Sequence, residues 1–277
     1  MRQMLSAARL AGGDEAFQHC CLQEAARMLA GESLDITPPE AGEGLYRMVR
    51  EMSGNPDPFA AQKREQNEAV MAILPWLRET VAGADDPLLM AVRLAIAGNV
   101  VDPGAQASFD LEKSVTEAVE GERELEEFPA FAERLAGAKS VLLIADNSGE
   151  IVFDRVLVEV MRRLKGDEMD ITVAVRAAPI INDVTEVEAR DVGLHELATV
   201  ISSGSEMPGT VVARATFEFK RAFEAADLVI SKGQGNWETL EDSEREVFFM
   251  FQAKCPAVAV MNDCPEGALL LLRNKAD

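Results

Sequence analysis

The residues best suited to chemistry come directly after short apolar runs. Val141–Ala145 (VLLIA) leads into Asp146-Asn147-Ser148-Gly149-Glu150. Ile171–Val175 (ITVAV) leads into Arg176 and then Pro179, Asn182 and Asp183. Thr199–Ser202 (TVIS) is followed by Ser203-Gly204-Ser205 and Pro208-Gly209, and Leu228–Ser231 (LVIS) by Lys232-Gly233-Gln234-Gly235-Asn236. A further run, Ala257–Val260 (AVAV), precedes Asn262 and Asp263. Carboxylate and amide oxygens suit a hard divalent cation such as magnesium or manganese, and these segments lack the thiolates and imidazoles that zinc or copper prefer. Asp146, Asn147 and Asp183 can fill part of an octahedron, leaving places for water and a phosphate oxygen. Such a cation would polarise a phosphoryl group and acidify a bound water. Lys232 can offset phosphate charge, and glycines at 204, 209, 233 and 235 permit close backbone approach to an anion.

Each residue also has a plainer reading. Asp146, Asn147 and Ser148 suit the N-cap of a helix starting near Gly149. Asp183-x-x-Glu186 fits a capping box, Glu150 a favourable helix dipole, Arg176 a structural ion pair and Lys232 an ordinary surface lysine. Their shared position after apolar runs favours chemistry over these readings, because open parallel sheets bind ligands beyond the carboxyl ends of their strands.

The elements that must position these residues divide the chain in two. Up to about residue 135 the apolar spacing is helical, over 3–11, 14–30, 42–53, 59–82 and 86–97, with a kink or a new turn expected at Pro75 and no strand before 139. From 140 onward, apolar β-branched runs alternate with helical stretches, which indicates a mostly parallel sheet covered on both faces. Val247–Phe251 fits either a sixth strand or a buried helix. The expected architecture is α/β: a helical domain over 1–135 and a three-layer α/β/α, Rossmann-like domain over 136–277.

The net charge of −21 opposes nucleic-acid binding, which needs clustered Lys and Arg. It also repels anionic substrates, unless a bound cation inverts the local field. With only two histidines, His19 and His195, an imidazole metal site or a Ser-His triad is hard to build. Cys20, Cys21, Cys255 and Cys264 form no C-x-x-C pair and no disulfide framework. No apolar run reaches membrane-spanning length and no secretory pattern follows Met1, so a cytoplasmic protein is expected.

In order along the chain, NPDPF (55–59) with Lys63 and Asn67, GNVVD (98–102), DNSGEIVFD (146–154), PIINDVT (179–185), SGSEMPGT (203–210) and KGQGNWE (232–238) resemble the damage-control phosphatases, first catalogued as an uncharacterised protein domain. The likeness covers nearly the whole chain. It implies a helical domain packed on a three-layer α/β/α domain, and metal-dependent hydrolysis of phosphorylated metabolites such as sugar phosphates. It carries metal ligation onto Asp146, Asn147 and Asp183, and substrate binding onto Glu150, Lys232, Asn236 and Lys254. It also brings Asn99 and Asp102 to the site from the helical domain. This branch of the family opens with a C-x-x-C element ahead of a segment like Arg2-Gln3, and these residues hold none.

The expected mechanism is attack on phosphorus by metal-activated water. The metal is manganese, magnesium, cobalt or nickel, held by Asp146, Asn147 and Asp183. Lys232 and the backbone of the 204–209 and 233–236 loops hold phosphate oxygens, with Arg176, Ser203, Gly204, Ser205, Gly235 and Asn236 lining the site. Glu150 binds a substrate hydroxyl or moves a proton. A rival route makes Asp146 a covalent nucleophile, but the second Asp that such phosphatases carry two residues on is Ser148 here. A rival class is a non-catalytic metabolite-binding or nucleotide-binding protein. Against it, the first apolar run is followed by DNSGE and not by G-x-G-x-x-G.

Overall fold

The computed structural model describes residues 1–31, 33, 36–98, 108–119, 124–166 and 168–274. Helices α1 (Arg2–Leu10), α2 (Glu15–Ala30), α3 (Pro38–Ser53), α4 (Ala60–Ala82), α5 (Pro87–Ala97), α6 (Ser108–Val119) and α7 (Phe128–Gly137) come first. Then follow β1 (Ser140–Ile144), α8 (Glu150–Lys165), β2 (Asp170–Val175), α9 (Glu186–Asp191), β3 (Thr199–Ser202), α10 (Phe217–Ala225), β4 (Leu228–Lys232), α11 (Gln234–Leu240), β5 (Phe248–Gln252), α12 (Pro256–Met261) and β6 (Leu269–Arg273).

Helices α2, α3, α5, α9 and α10 start where a side chain accepts from their first N–H groups. Thr37 and Glu40 form a capping box at α3, and Asp86 accepts from Leu88 and Leu89 at α5, with proline just inside each helix. Pro75 starts no new turn, since α4 runs unbroken through it.

The strand order is β3-β2-β1-β4-β5-β6. β1 to β5 are parallel and β6 is antiparallel to β5. Alternate side chains enter opposite layers. Val141 and Leu143 join a core formed with α4–α8, while Leu142 and Ile144 join one formed with α10–α12. Each such fully buried aliphatic contributes about 1.5–3 kcal/mol. The core built on α4–α7 is continuous with that of the sheet across residue 135. α1–α3 have their own small core, closed by Phe59 and by Ile180 from the segment after β2.

Two strand expectations change. Of Val247–Phe251, open between strand and helix, Phe248–Phe251 lies in strand β5 and Val247 directly precedes it. Ala257–Val260 is helical, inside α12, with Pro256 at its first position, where a missing N–H costs nothing. Asn262 and Asp263 therefore follow a helix and lie at no strand end. β6 has no counterpart among the expected strands, although its LLLL run carries the same apolar signal as β1. No helix among the described residues is long and apolar enough to cross a membrane.

Candidate functional site

In this strand order the connections reverse direction between β1 and β4, and the crevice at such a switch point is where α/β sheets bind ligands. β1 ends shortly before Asp146 and β4 ends at Lys232, so Asp146 and Gly233 meet there. The approach is close. A Cβ on Gly233 would lie 2.0 Å from Asp146 Oδ2.

Asn147 and Asp183 pair across a single antiparallel bridge, flanked by Val184 N–H to Asp146 O at 2.9 Å and Ser148 N–H to Asn182 O at 2.8 Å. Paired residues of this kind put their Cβ atoms on one side, about 4.5–5.5 Å apart. Capping explains neither segment. α8 has Gly149 as its N-cap with no side-chain cap bond, and the capping box of α9 is Thr185 with Glu188, two residues beyond the expected Asp183 and Glu186. Asp146 and Asp183 are both buried.

Arg176 runs beneath both acids. Nε donates to Asp183 Oδ2 at 2.7 Å, and Nη1 donates to Thr210 Oγ1 at 2.7 Å, Gly209 O at 3.0 Å and Asn236 Oδ1 at 3.1 Å. Nη2 lies 3.7 Å from Asp146 Oδ1 and, although buried, has no hydrogen-bond partner. Asn236 is fully engaged, since its Nδ2 also donates to Ala145 O and Lys232 O.

Lys232 is 0% exposed and its donors are occupied. Nζ donates to Glu150 Oε1 at 2.6 Å, Asp154 Oδ1 at 2.7 Å and Ala95 O at 2.7 Å. An ammonium has three N–H groups, so none is left for a phosphate oxygen, which corrects the role expected for this lysine. Burial alone would lower its proton affinity, but Asp154 and Glu150 outweigh that and hold it above the usual lysine range. Glu150 Oε2 accepts from Asn147 Nδ2 at 3.3 Å. Burial pushes the Asp154 carboxyl up to about 7 against the pull of Lys232.

The 203–210 loop is also turned inward. Gly204 N–H donates to Ser202 Oγ, Ser205 N–H to Ser203 Oγ, Met207 N–H to Ser205 Oγ, Gly209 N–H to Met207 O and Thr210 N–H to Thr239 Oγ1. Those amides hold the loop's own shape and are not free to hold an anion. Gly235 is required here, because a Cβ would stand 1.9 Å from Pro208 O. Lys254 is exposed, near enough for its charge to act on Asp146. Asn99 and Asp102 lie outside the described residues.

Motif residues from the helical region prove to be supports. Asn67 Oδ1 accepts from Gly149 N–H at 2.6 Å, and Lys63 Nζ lies 2.6 Å from both Asp57 and Glu188. Residue type alone does not single out Thr210 or Asp154. Asp154 sits one turn after Glu150 on the same helix face, a spacing that is readable in sequence.

The group fits a divalent cation. The buried side chains of Asp146, Glu150, Asp154 and Asp183 pair directly with Arg176 and Lys232, so four carboxyl groups share two close cations, with Lys63 and Lys254 acting from further off. Among the described residues no three His, Cys, Asp or Glu side chains form a ready cation cage. The trio offered here has two carboxylates, its third donor being an amide oxygen.

Burial first, then mutual repulsion with Asp183 and Glu150, holds the Asp146 carboxyl well above the usual carboxylate range; burial raises Asp183 despite Arg176. Both acids thus bind protons more tightly folded than unfolded. In the metal-free protein, their contribution to stability is present below the unfolded carboxylate value and is lost as pH rises through the folded one. Protons compete with a cation for the same oxygens, so Mn²⁺ affinity should weaken as pH falls through a range that lies above that of an ordinary carboxylate. Mn²⁺ titration across that range checks this, and an unchanged Kd would contradict it.

A doubly wound α/β fold with an oxygen-only, acidic switch-point site is the class that structure and site define. The damage-control phosphatase ARMT1-like domain matches residues 1–270, and the chain belongs to that family. It is 35% identical over 254 residues to the damage-control phosphatase PH1575 of Pyrococcus horikoshii, covering 91% of this chain and 87% of that protein. It is 33% identical over 260 residues to a damage-control phosphatase of Archaeoglobus fulgidus, covering 91% and 88%. The crystal structure of PH1575, described as a DUF89 family protein, superposes with a TM-score of 0.91 at 33% identity over 99% of this chain and 95% of that one. These likenesses support a phosphatase-type function and agree with the family resemblance and fold class read from the motifs.

Proposed function

We propose that this protein is a metal-dependent phosphatase acting on small phosphorylated metabolites. The observation that carries the reading is the convergence of Asp146, Asn147 and Asp183 at the switch point, with Arg176 Nη2 buried 3.7 Å from Asp146 Oδ1 and without a hydrogen-bond partner. Asp146, Asn147 and Asp183 would hold a divalent cation such as manganese, magnesium, cobalt or nickel. When bound, such an ion polarises a phosphoryl group and acidifies water.

The chain's own residues supply position and charge. Arg176 is locked by Asp183, Thr210, Asn236 and Gly209, so Nη2 needs no reorganisation to donate to a phosphate oxygen. Lys254 adds positive charge at the exposed rim. The opening N–H groups of α11 have no carbonyl inside their helix and face the same end of the sheet. Positioning and electrostatics supply most of the rate in phosphoryl transfer, where the protein has little covalent chemistry to do.

Hydrolysis of p-nitrophenyl phosphate tests the reading. Activity should require Mn²⁺, Mg²⁺, Co²⁺ or Ni²⁺, stop with chelator, return on adding metal back, and be absent from Asp146→Ala. Turnover of no phosphate ester by a protein that binds the metal would identify a binding protein instead. Turnover unaffected by chelator would remove the cation from the mechanism.

A further inference from the structure

We propose that Lys232 and Asp154 form a buried post that sets Glu150, and that Glu150 in turn sets which atom of the Asn147 amide faces the cation. The inference rests on the cation site proposed above and concerns how the protein builds it.

An asparagine side chain ends in an oxygen and a nitrogen of nearly equal size, and only the oxygen can ligate a hard cation. A ligand asparagine must therefore be prevented from flipping. Asn147 Nδ2 lies against two carboxylates, Asp146 Oδ2 and Glu150 Oε2. Both are acceptors, so they claim both amide hydrogens and turn Oδ1 away from them. That discrimination is only as firm as the Glu150 carboxylate. Its other oxygen is held by Lys232, which is itself anchored by Asp154 Oδ1 and Ala95 O. Ala95 lies in the last turn of α5, where helix carbonyls lack intrahelical partners and a cation is favoured. The post thus joins α5, the first turn of α8 and the end of β4, and no donor of Lys232 is left over. Lys232, Asp154 and Glu150 are positioning residues; Asn147 is the group that touches the cation.

Glu150→Gln makes the sharpest test. Lys232 takes the new amide oxygen, which leaves the Gln NH₂ facing the Asn147 NH₂. Donor meets donor, and Asn147 is driven to flip its nitrogen toward the cation. Mn²⁺ affinity, read from the electron paramagnetic resonance signal of free Mn²⁺ with the full chain, should fall about 10–100-fold, the usual cost of losing a group that orients a metal ligand. Asn147→Asp removes the need for orientation, because both of its terminal atoms are oxygens. In that background Glu150→Gln should cost nothing further.

Equal Mn²⁺ affinity of wild type and Glu150→Gln overturns this inference alone. An equal loss in both backgrounds also overturns it, by showing that Glu150 acts on the ion without Asn147. Absence of Mn²⁺ binding by wild type overturns the cation site and this inference with it. Should Glu150→Gln not fold, the wild-type Asn147 NH₂ resonances decide: slow hydrogen exchange without metal supports the prebuilt orientation, and fast exchange overturns it.

Discussion

Gly233→Ala abolishes metal binding and hydrolysis while leaving a folded chain. Gly233 has φ 82 and ψ 153, a region that residues with a side chain enter only under strain of about 1–3 kcal/mol. Set against a typical stability of about 5–15 kcal/mol, that strain lowers the melting temperature without unfolding the protein. The larger effect is local. The added methyl group would stand 2.0 Å from Asp146 Oδ2 and 2.2 Å from Cγ, where carbon contacts need roughly 3.5 Å. Asp146 must move by roughly 1 Å or more, whereas a hard-cation bond is held near ~2.0–2.6 Å. A displacement of that size costs on the order of 100-fold by itself, and the lost ligand adds to it, so activity should drop below about 1%. Gly12→Ala is the control. Gly12 has φ +83 and nothing within 4 Å of the place its methyl group would take, so it tests a positive-φ alanine without a clash. A Gly233→Ala protein that binds Mn²⁺ as Gly12→Ala does would show that Asp146 is no ligand.

The residues at this site differ in how far sequence alone can place them. Asp146, Asn147 and Asp183 are legible because a parallel sheet presents whatever follows its strands on one rim, and the apolar runs mark β1 and β2. The same logic misplaces Asn262 and Asp263, since AVAV has no periodicity that separates a short strand from a short helix and Pro256 is the only local clue. Lys232 shows a different limit. A lysine after a strand reads as exposed or phosphate-facing, and only the docking of α5 over the end of β4 reveals it as fully buried. The contacts of Arg176 with Thr210 and Asn236 join segments 34 and 60 residues away, which no local pattern encodes. The pairing of Glu150 with Asp154 is within reach, because residues four apart on a helix share a face.

Arg176→Met should move metal binding and catalysis in opposite directions. The substitution keeps most of the buried volume and removes the guanidinium that faces Asp183 and Asp146. Breaking a buried pair from one side typically costs about 3–5 kcal/mol, so the metal-free variant should melt well below wild type. The four buried carboxyl groups would then have Lys232 as their one directly paired cation, one positive charge fewer than in wild type. A dication meets a stronger field, so Mn²⁺ should raise the melting temperature of Arg176→Met by more than it raises that of wild type. Hydrolysis should nonetheless fall by about 10²–10³-fold, because the preset donor for the phosphate oxygen is gone. Arg176→Lys separates the two effects: it returns the charge without the planar fork, so metal-free stability should recover in part while the rate stays low. Weaker Mn²⁺ stabilisation of Arg176→Met would show that the arginine builds the cation site rather than opposing the ion's charge. An unchanged rate would assign the phosphate to Lys254 and the α11 backbone. The opposed signs are what a shared phosphate between a protein cation and a metal cation requires: the two positive groups repel each other until the anion arrives between them.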